Sequence, residues 1–418
     1  MLTGQSTFHF DPIRPTSAEL TRRFPLMRAG VIHTPHGDIK TPTFTAVGTH
    51  GAVIFVTPEV LRKVDAQVML SNGYHLFHQA VLIDSSGGLA EYNGWHGPTM
   101  TDSGGFQVMS LGSGLGKVIS MQKLDVQKSE RLTDDADRLA AVDDDGVTFR
   151  DPHNGRVIKF TPEISLQTQH KIGADIMMSF DELTNITDSY EYNVTSLERT
   201  RRWAERGLRE HLRQTNLRAP KPYQALYGCL QGSSFRDLRQ KAATDLAAMR
   251  VDGFGFDGFG LGGALVKENL GEMCRWMNEI LPDNKPRHLL GLSHPDDIFA
   301  GVEQGCDTFD CVAPTREARH GRIYTVNGNI SLQRGRFADD RRILDPGCDC
   351  PTCRAGISRR ELRALLKSSE RADHAQYFAL ASAHNLRFIV RLTEEIRNNI
   401  IDGDYSVFKD NFMKQYYS

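Results

Sequence analysis

The chain has 418 residues, 39% hydrophobic and 24% charged, the balance of an ordinary globular protein, which excludes a disordered or fibrous one. Its 50 Lys/Arg and 52 Asp/Glu give a net charge of −2, so no global field attracts a nucleic acid. No apolar run approaches the roughly 18 residues of a membrane helix, the N-terminus has no signal-peptide core, and seven sparse cysteines make no secreted disulfide framework. A cytoplasmic protein is expected.

Along the chain, short apolar runs end in polar residues or a Gly pair, each followed by a loop and a helix-like stretch. The run 68–70 leads to Ser71-Asn72-Gly73, and 98–101 leads to Asp102-Ser103-Gly104-Gly105. A polar stretch at 112–145, ending in Asp143-Asp144-Asp145-Gly146, reads as an insertion. The runs resume at 174–180 before Asp181-Glu182, at 223–230 before Gln231-Gly232, and at 259–261 before Gly262-Gly263. They end with 289–292 before Ser293 and 306–309 before Asp310.

Thr195-Ser196-Leu197-Glu198 has the form of a capping box and predicts a helix over 195–212. Ser293-His294-Pro295-Asp296 predicts a second helix start, with Gly305 as its stop. Strand, loop and helix repeated about seven times argue for parallel strands with crossover helices, and we expect an α/β fold: a closed (β/α)8 TIM-like barrel with an appended zinc-binding subdomain near the C-terminus. The barrel body is placed at 1–327, the zinc-binding subdomain and closing helices at 328–418. Gly253-Phe254-Gly255-Phe256-Asp257-Gly258 matches a dinucleotide loop on paper, but it follows a helical stretch instead of opening a helix after a strand.

The sharpest local signal is Cys348-x-Cys350-x-x-Cys353, joined by His384 from a helix expected over 375–400. Three thiolates and one imidazole fill a zinc tetrahedron and leave no open position, so a structural Zn2+ ion is expected. Cys229, Cys274, Cys306 and Cys311 lie in apolar surroundings and read as core residues. Asp102, beside two glycines, and Asp310, in Phe309-Asp310-Cys311-Val312, are acids at strand ends. Two acids at one barrel mouth suit retaining glycosyl transfer, one attacking the anomeric carbon and the other shuttling a proton. Helix caps and loop-satisfied acids explain the same residues equally well. Residues 315–371 hold 13 Lys/Arg against 7 Asp/Glu, and Arg316, Arg319 and Arg322 recur every third position. That spacing suits phosphates or a solvated turn.

Together these motifs resemble the tRNA-guanine transglycosylase family over nearly the whole chain, from about residue 30 to 400. The resemblance rests on Thr101-Asp102-Ser103-Gly104-Gly105-Phe106-Gln107, Phe180-Asp181-Glu182, Gln231-Gly232, Gly262-Gly263 and Phe309-Asp310-Cys311. Pro314-Thr315-Arg316-x-Ala318-Arg319-x-Gly321 and the zinc spacing complete it. It implies exchange of guanine at wobble position 34 of GUN-anticodon tRNAs (Asp, Asn, His, Tyr) for a 7-deazaguanine on the route to queuosine. By the resemblance Asp310 is the nucleophile that holds the tRNA covalently, and Asp102 is the acid and base. Ser103, Gly104, Gly105, Phe106, Asp181, Gln231 and Gly263 would bind the purine. Gly291, Leu292, Ser293, His294, Pro295, Asp296 and Asp297, with Thr315, Arg316, Glu317, Ala318 and Arg319, match the family's RNA-binding stretches. A homodimer is implied, and neither a nucleotide triphosphate nor a membrane.

The chain departs from the family pattern at Leu183, at Ser233 and over Gly291-Leu292-Ser293-His294. These positions border the base pocket, so the resemblance leaves the incoming base open between preQ1 and queuine. A small residue at Val266 goes with queuine, whereas Leu183 points the other way. A non-catalytic partner subunit is disfavoured by the retained Asp102, Asp310 and Gln231. Base exchange in DNA is disfavoured by the segment 314–321, and a bare zinc-containing RNA-binding module by the full barrel pattern.

Overall fold

The structure is a computed structural model that describes residues 8–113, 140–152, 154–263 and 267–418. Most of the stretch read as an insertion at 112–145, and Val266, lie outside the described residues. Three antiparallel strands open the fold: β1 (His9–Ile13), β2 (Ala29–Thr34) and β3 (Gly37–Thr41). Next come β4 (Thr43–Val47), β5 (Met69–Ser71) and β6 (Thr99–Thr101). An antiparallel excursion of β7 (Ala140–Val142), β8 (Val147–Arg150) and β9 (Val157–Phe160) follows. The described end of the predicted insertion thus enters a sheet.

The chain then lays down β10 (Ile176–Met178), β11 (Ala225–Leu230), β12 (Gly258–Leu261), β13 (Arg287–Leu289) and β14 (Thr308–Asp310). Strands β4, β5, β6 and β10 to β14 are parallel neighbours in chain order, and β14 pairs back onto β4 to close the barrel. The expected barrel is therefore present. A short hairpin, β15 (Arg322–Ile323) and β16 (Ile330–Ser331), comes after it.

Two-residue alternation sorts the strand side chains between lumen and helices. Phe44, Met69, Met177, Leu226, Leu230, Phe259, Leu261, Leu289 and Phe309 join one cluster with the surrounding helices. Leu70, Met100, Ile176, Met178, Ala225, Tyr227 and Cys229 form another with Phe8, Phe10, Ile32 and Ile39 of the N-terminal sheet. That sheet therefore covers the end of the lumen where the strands start, and the other end stays free for chemistry.

Three local expectations need correction. The strand Thr43–Val47 is absent from the apolar runs of the sequence pattern because only Pro42 separates it from β3, and its alternation looks like one more hairpin strand. The run 289–292 begins where β13 ends, so Gly291 and Leu292 belong to the loop. The helix read at 195–212 spans Tyr190–Arg218, with Ser189 Oγ accepting the Tyr192 N–H at 3.2 Å. Thr195 lies inside it and bonds back to the Glu191 carbonyl at 3.1 Å, so the sequence pattern of a capping box is there mid-helix. The helix Pro295–Glu303 starts as expected, though no side chain caps it.

The helix expected over 375–400 spans Arg371–Asp402, and its Leu386, Ile389, Ile396 and Ile400 enter the barrel's outer cluster beside Phe44. No helix among the described residues is long and apolar enough to cross a membrane.

A buried ion pair ties the barrel's closure to the N-terminal sheet. Arg28 Nε and Nη2 donate to Asp307 Oδ1 and Oδ2 at 2.9 and 2.5 Å, with both side chains fully buried. Asp307 Oδ2 also accepts the Arg287 N–H at 2.7 Å. Asp307→Ala would leave the buried guanidinium only the longer carboxylate contact to Asp283, at 3.4 Å, at a cost of roughly 3–5 kcal/mol. Guanidinium unfolding should show that loss, and the double variant Arg28→Met/Asp307→Leu should recover most of it. An Asp307→Ala midpoint equal to the wild type would contradict this account.

Candidate active site and metal centre

The strand ends carry polar groups into one mouth. Asp102 follows β6 and is only partly exposed. Its Oδ2 accepts from Asn72 Nδ2 at 2.6 Å, and its Oδ1 accepts the N–H groups of Gly73 and Gly104 at 2.8 and 3.1 Å. Gly104 sits at φ +76°, where glycine is favoured, and a Cβ there would lie 3.0 Å from the Tyr74 nitrogen. Burial pushes Asp102 up to about 7 against those two backbone donors, and the charges of Asp310 and Asp181 push in the same direction. The carboxyl is therefore poised to give up or take a proton near neutral pH.

Asp310 ends β14 with its side chain 14% exposed. Its Oδ1 accepts from His288 Nε2 and from the Gly291 N–H, each at 3.1 Å. Gly291 adopts φ +79°, a left-handed conformation that glycine favours, in the turn after β13.

A third acid lines the same mouth. Asp181 Oδ2 accepts from Gln231 Nε2 at 2.5 Å, and Ser103 Oγ donates to Oδ1 at 3.4 Å. Burial raises Asp181 to about 6 despite these two donors. Gln231 Oε1 is buried with no hydrogen-bond partner among the described residues. A Cβ on Gly263, at φ +92°, would lie 2.5 Å from that oxygen, so only glycine leaves the space. Gly105 has a comparable role: its N–H donates to Ser103 Oγ at 3.2 Å, and an added Cβ would lie 3.1 Å from the Asp181 carbonyl. Phe106 stands at 40% exposure, an available aromatic face.

The two stretches matched to RNA binding are partly internal. Leu292, Ser293, Pro295, Asp297, Thr315 and Ala318 are buried, whereas Gly291, His294, Asp296, Glu317 and Arg319 are half-buried and Arg316 is exposed. Asp296 is engaged by Lys267 at 3.0 Å and by the Tyr417 hydroxyl at 2.9 Å. Burial raises Asp297 to about 6, with the Asp296 charge adding to it. Burial and the neighbouring Arg316 hold Arg319 below its usual value.

Away from the mouth, Cys348, Cys350, Cys353 and His384 are buried, with their ligand atoms within 4.8 Å of one another. His384 Nε2 meets the Tyr324 carbonyl at 2.8 Å, which assigns the proton to that nitrogen. Nδ1 then faces Cys350 and Cys353 Sγ, each at 3.4 Å. A ring oriented from behind, facing sulfurs at the edge length of a metal tetrahedron, fits a closed metal site. Of the other cysteines, Cys229, Cys274 and Cys306 are buried as expected, and Cys311 is half-buried beside Asp310.

The profile of the queuine tRNA-ribosyltransferase family matches residues 25–418. A queuine tRNA-ribosyltransferase of Staphylococcus haemolyticus is 38% identical over 391 residues, covering 93% of each chain. One from Streptococcus pyogenes serotype M5 is 40% identical over 394 residues, again 93% of each chain. The chain belongs to the queuine tRNA-ribosyltransferase family. The resemblance read from its motifs is borne out, and with it the transglycosylase class.

Three supports of the mouth of this queuine tRNA-ribosyltransferase family member carry no mark in the sequence. Asn72 was visible only as part of a strand-end Ser-Asn-Gly, and nothing local marked it as a partner of Asp102. His288 lies mid-strand and looks like core. Arg239 is fully buried, donating to the Ser233 and Gly262 carbonyls at 2.7 and 2.6 Å, and so clasps the loops that carry Gln231 and Gly263.

The Cys/His cluster makes its own prediction. Cys350→Ser should abolish metal binding at the cluster and destabilise the chain by on the order of 4 kcal/mol or more. Metal content per chain and the thermal midpoint would show both effects; an unchanged midpoint in a metal-free variant would refute the structural role.

Proposed function

We propose that the chain exchanges guanine at wobble position 34 of GUN-anticodon tRNAs for a 7-deazaguanine, through a covalent bond between Asp310 and the ribose. The observation that carries this reading is the pair of acids at one mouth in different surroundings: Asp102 is pushed up to about 7, and Asp310 is held by two donors on a single oxygen. Asp310 Oδ2 forms a bond to C1′ as the bond to guanine breaks, and Asp102 gives its proton to the departing base. The incoming base then loses a proton to Asp102 and displaces the carboxylate from C1′. One glycosidic bond replaces another, so no nucleotide triphosphate enters.

Asp181, Ser103 and Gln231 suit the polar edge of a purine, and the unpartnered Gln231 Oε1 can accept one of its N–H groups. Gly104, Gly105 and Gly263 give bare backbone for close approach, and Phe106 lies against the ring. The base must leave its loop stack to reach them, which costs a few kcal/mol and is offset by these contacts. Residues 291–297 and 315–319 flank Asp310, where Arg316 and Arg319 can meet anticodon phosphates. Zinc is the ion that a Cys3His set suits best, and its part here is structural. A cytoplasmic location agrees with a tRNA substrate.

Labelled guanine should enter unmodified GUN tRNA with the wild-type chain. Asp310→Asn should lower that exchange by at least about 10⁴-fold while still binding tRNA. Persistent exchange in the variant would remove Asp310 from the nucleophile's role. Binding without exchange by the wild type would instead make the chain a non-catalytic partner.

The pH profile supplies a separate check. The first half-reaction needs Asp102 protonated, so kcat/KM for tRNA should fall about tenfold per pH unit above about 7. A flat profile from pH 6 to 9 would refute Asp102 as the acid.

A further inference from the structure

We propose that His288 is a positioning residue for the nucleophile: it holds Oδ1 of Asp310 and so presents Oδ2 to the ribose. The inference rests on the transglycosylase reading and adds a residue to it. His288 lies at the centre of β13 and is fully buried. In register it faces Thr308 of β14, and Leu289 faces Phe309. Leu289 and Phe309 point out into the helical layer, so the alternation sends His288, Thr308 and Asp310 to the lumen together.

The imidazole is held at both nitrogens. Nδ1 meets Thr308 Oγ1 at 2.8 Å and Nε2 meets Asp310 Oδ1 at 3.1 Å. An ionised carboxylate can only accept, so Nε2 carries the proton. The Thr308 hydroxyl holds the ring from the Nδ1 side. The Gly291 N–H also lands on Oδ1, and among the described residues no hydrogen bond reaches Oδ2. One oxygen is thus occupied twice and the other keeps its lone pairs free.

The consequence follows through both half-reactions. When Oδ2 bonds to C1′ and the bond to guanine breaks, Oδ1 becomes the carbonyl oxygen of the ester, still held by His288 and Gly291. When the incoming base forms its bond to C1′, the electron pair of the C1′–Oδ2 bond returns to the carboxylate. The His288 N–H stabilises the charge as it reappears. The histidine exchanges no proton in either step; it fixes the plane of the carboxylate and which of its oxygens attacks.

The test is steady-state guanine exchange by the full chain with His288→Leu, His288→Gln and His288→Asn. Gln places an amide nitrogen near the position of Nε2, whereas Asn reaches only the position of Nδ1. We expect His288→Leu to lower kcat about 100-fold, the scale for losing one aimed donor, with KM for tRNA within about twofold. His288→Gln should stay within about tenfold of the wild type and His288→Asn should fall with His288→Leu. A loss confined to KM, or equal kcat for the Gln and Asn variants, would overturn the proposal. The Gln and Asn pair decides the matter even where His288→Leu does not fold. A wild type without exchange overturns this proposal and the transglycosylase reading together, whereas an active wild type with an equally active His288→Leu overturns this one alone.

Discussion

Closure of β14 onto β4 is the constraint on which the rest of the molecule depends. The strand Thr308–Asp310 is three residues long, yet one boundary holds the barrel shut and the other faces the mouth. Just before it, Asp307 gives its carbonyl to the Thr43 N–H at 3.0 Å and its carboxylate to Arg28. Three residues later, about 10 Å along the strand, Asp310 pairs with Thr45 in register and points into the mouth. A one-residue slip would turn Asp310 outward into the helices and bring Phe309 into the mouth. The buried ion pair at the start of the strand opposes that slip, so the proposed nucleophile is placed by an interaction far from any substrate.

The mouth that results gathers three carboxylates, an arrangement that costs free energy. Each acid answers the cost differently. Asp310 takes two donors on one oxygen. Asp181 is held by Gln231 and Ser103 and is raised only to about 6. Asp102 has the Asn72 amide and two backbone N–H groups, yet burial and its acidic neighbours still leave it near 7. The donors that Asp102 and Asp310 draw from the backbone come from Gly73, Gly104 and Gly291, at turns immediately after strands. Strand ends therefore supply both the acids and much of what steadies them, and their unequal surroundings suit the two roles proposed for Asp102 and Asp310.

What the sequence shows depends on how local the determining interaction is. The cysteine cluster was legible because three ligands fall within six residues and the fourth sits on a strongly periodic helix. Asp102, Asp181, Gln231 and Asp310 were legible because each follows an apolar run that ends abruptly. His288, Asn72 and Arg239 were not. Their partners are 22, 30 and 23 positions away for Asp310, Asp102 and the Gly262 carbonyl, across neighbouring strands and loops, and a lone polar residue carries no sign of such a partner. The capping motif at 195–198 misled for the converse reason. Its local form is correct, but Ser189 opens the helix six residues earlier, and tertiary packing of the longer helix overrides it.

The long helix Arg371–Asp402 connects the Cys/His cluster, remote from the mouth, to the residues around Asp310. His384 belongs to the metal cluster and bonds the Tyr324 carbonyl from its other nitrogen. Its neighbour Asn385 donates to the Pro314 and Arg322 carbonyls, each at 3.0 Å, and accepts the Tyr324 N–H at 3.0 Å. Tyr377, two turns earlier, donates its hydroxyl to the Ala318 carbonyl at 2.9 Å. These bonds grip the segment that begins immediately after Asp310 and carries Arg316 and Arg319. Further along, Ile389 and Ile396 of the same helix pack in the cluster that contains Phe44 of β4. One helix therefore spans the metal cluster, the arginine-bearing segment and the strand that closes the barrel. The Cys/His cluster and the Asn385 and Tyr377 bonds hold the first half of that helix against the arginine-bearing segment, and so fix the arginines relative to Asp310.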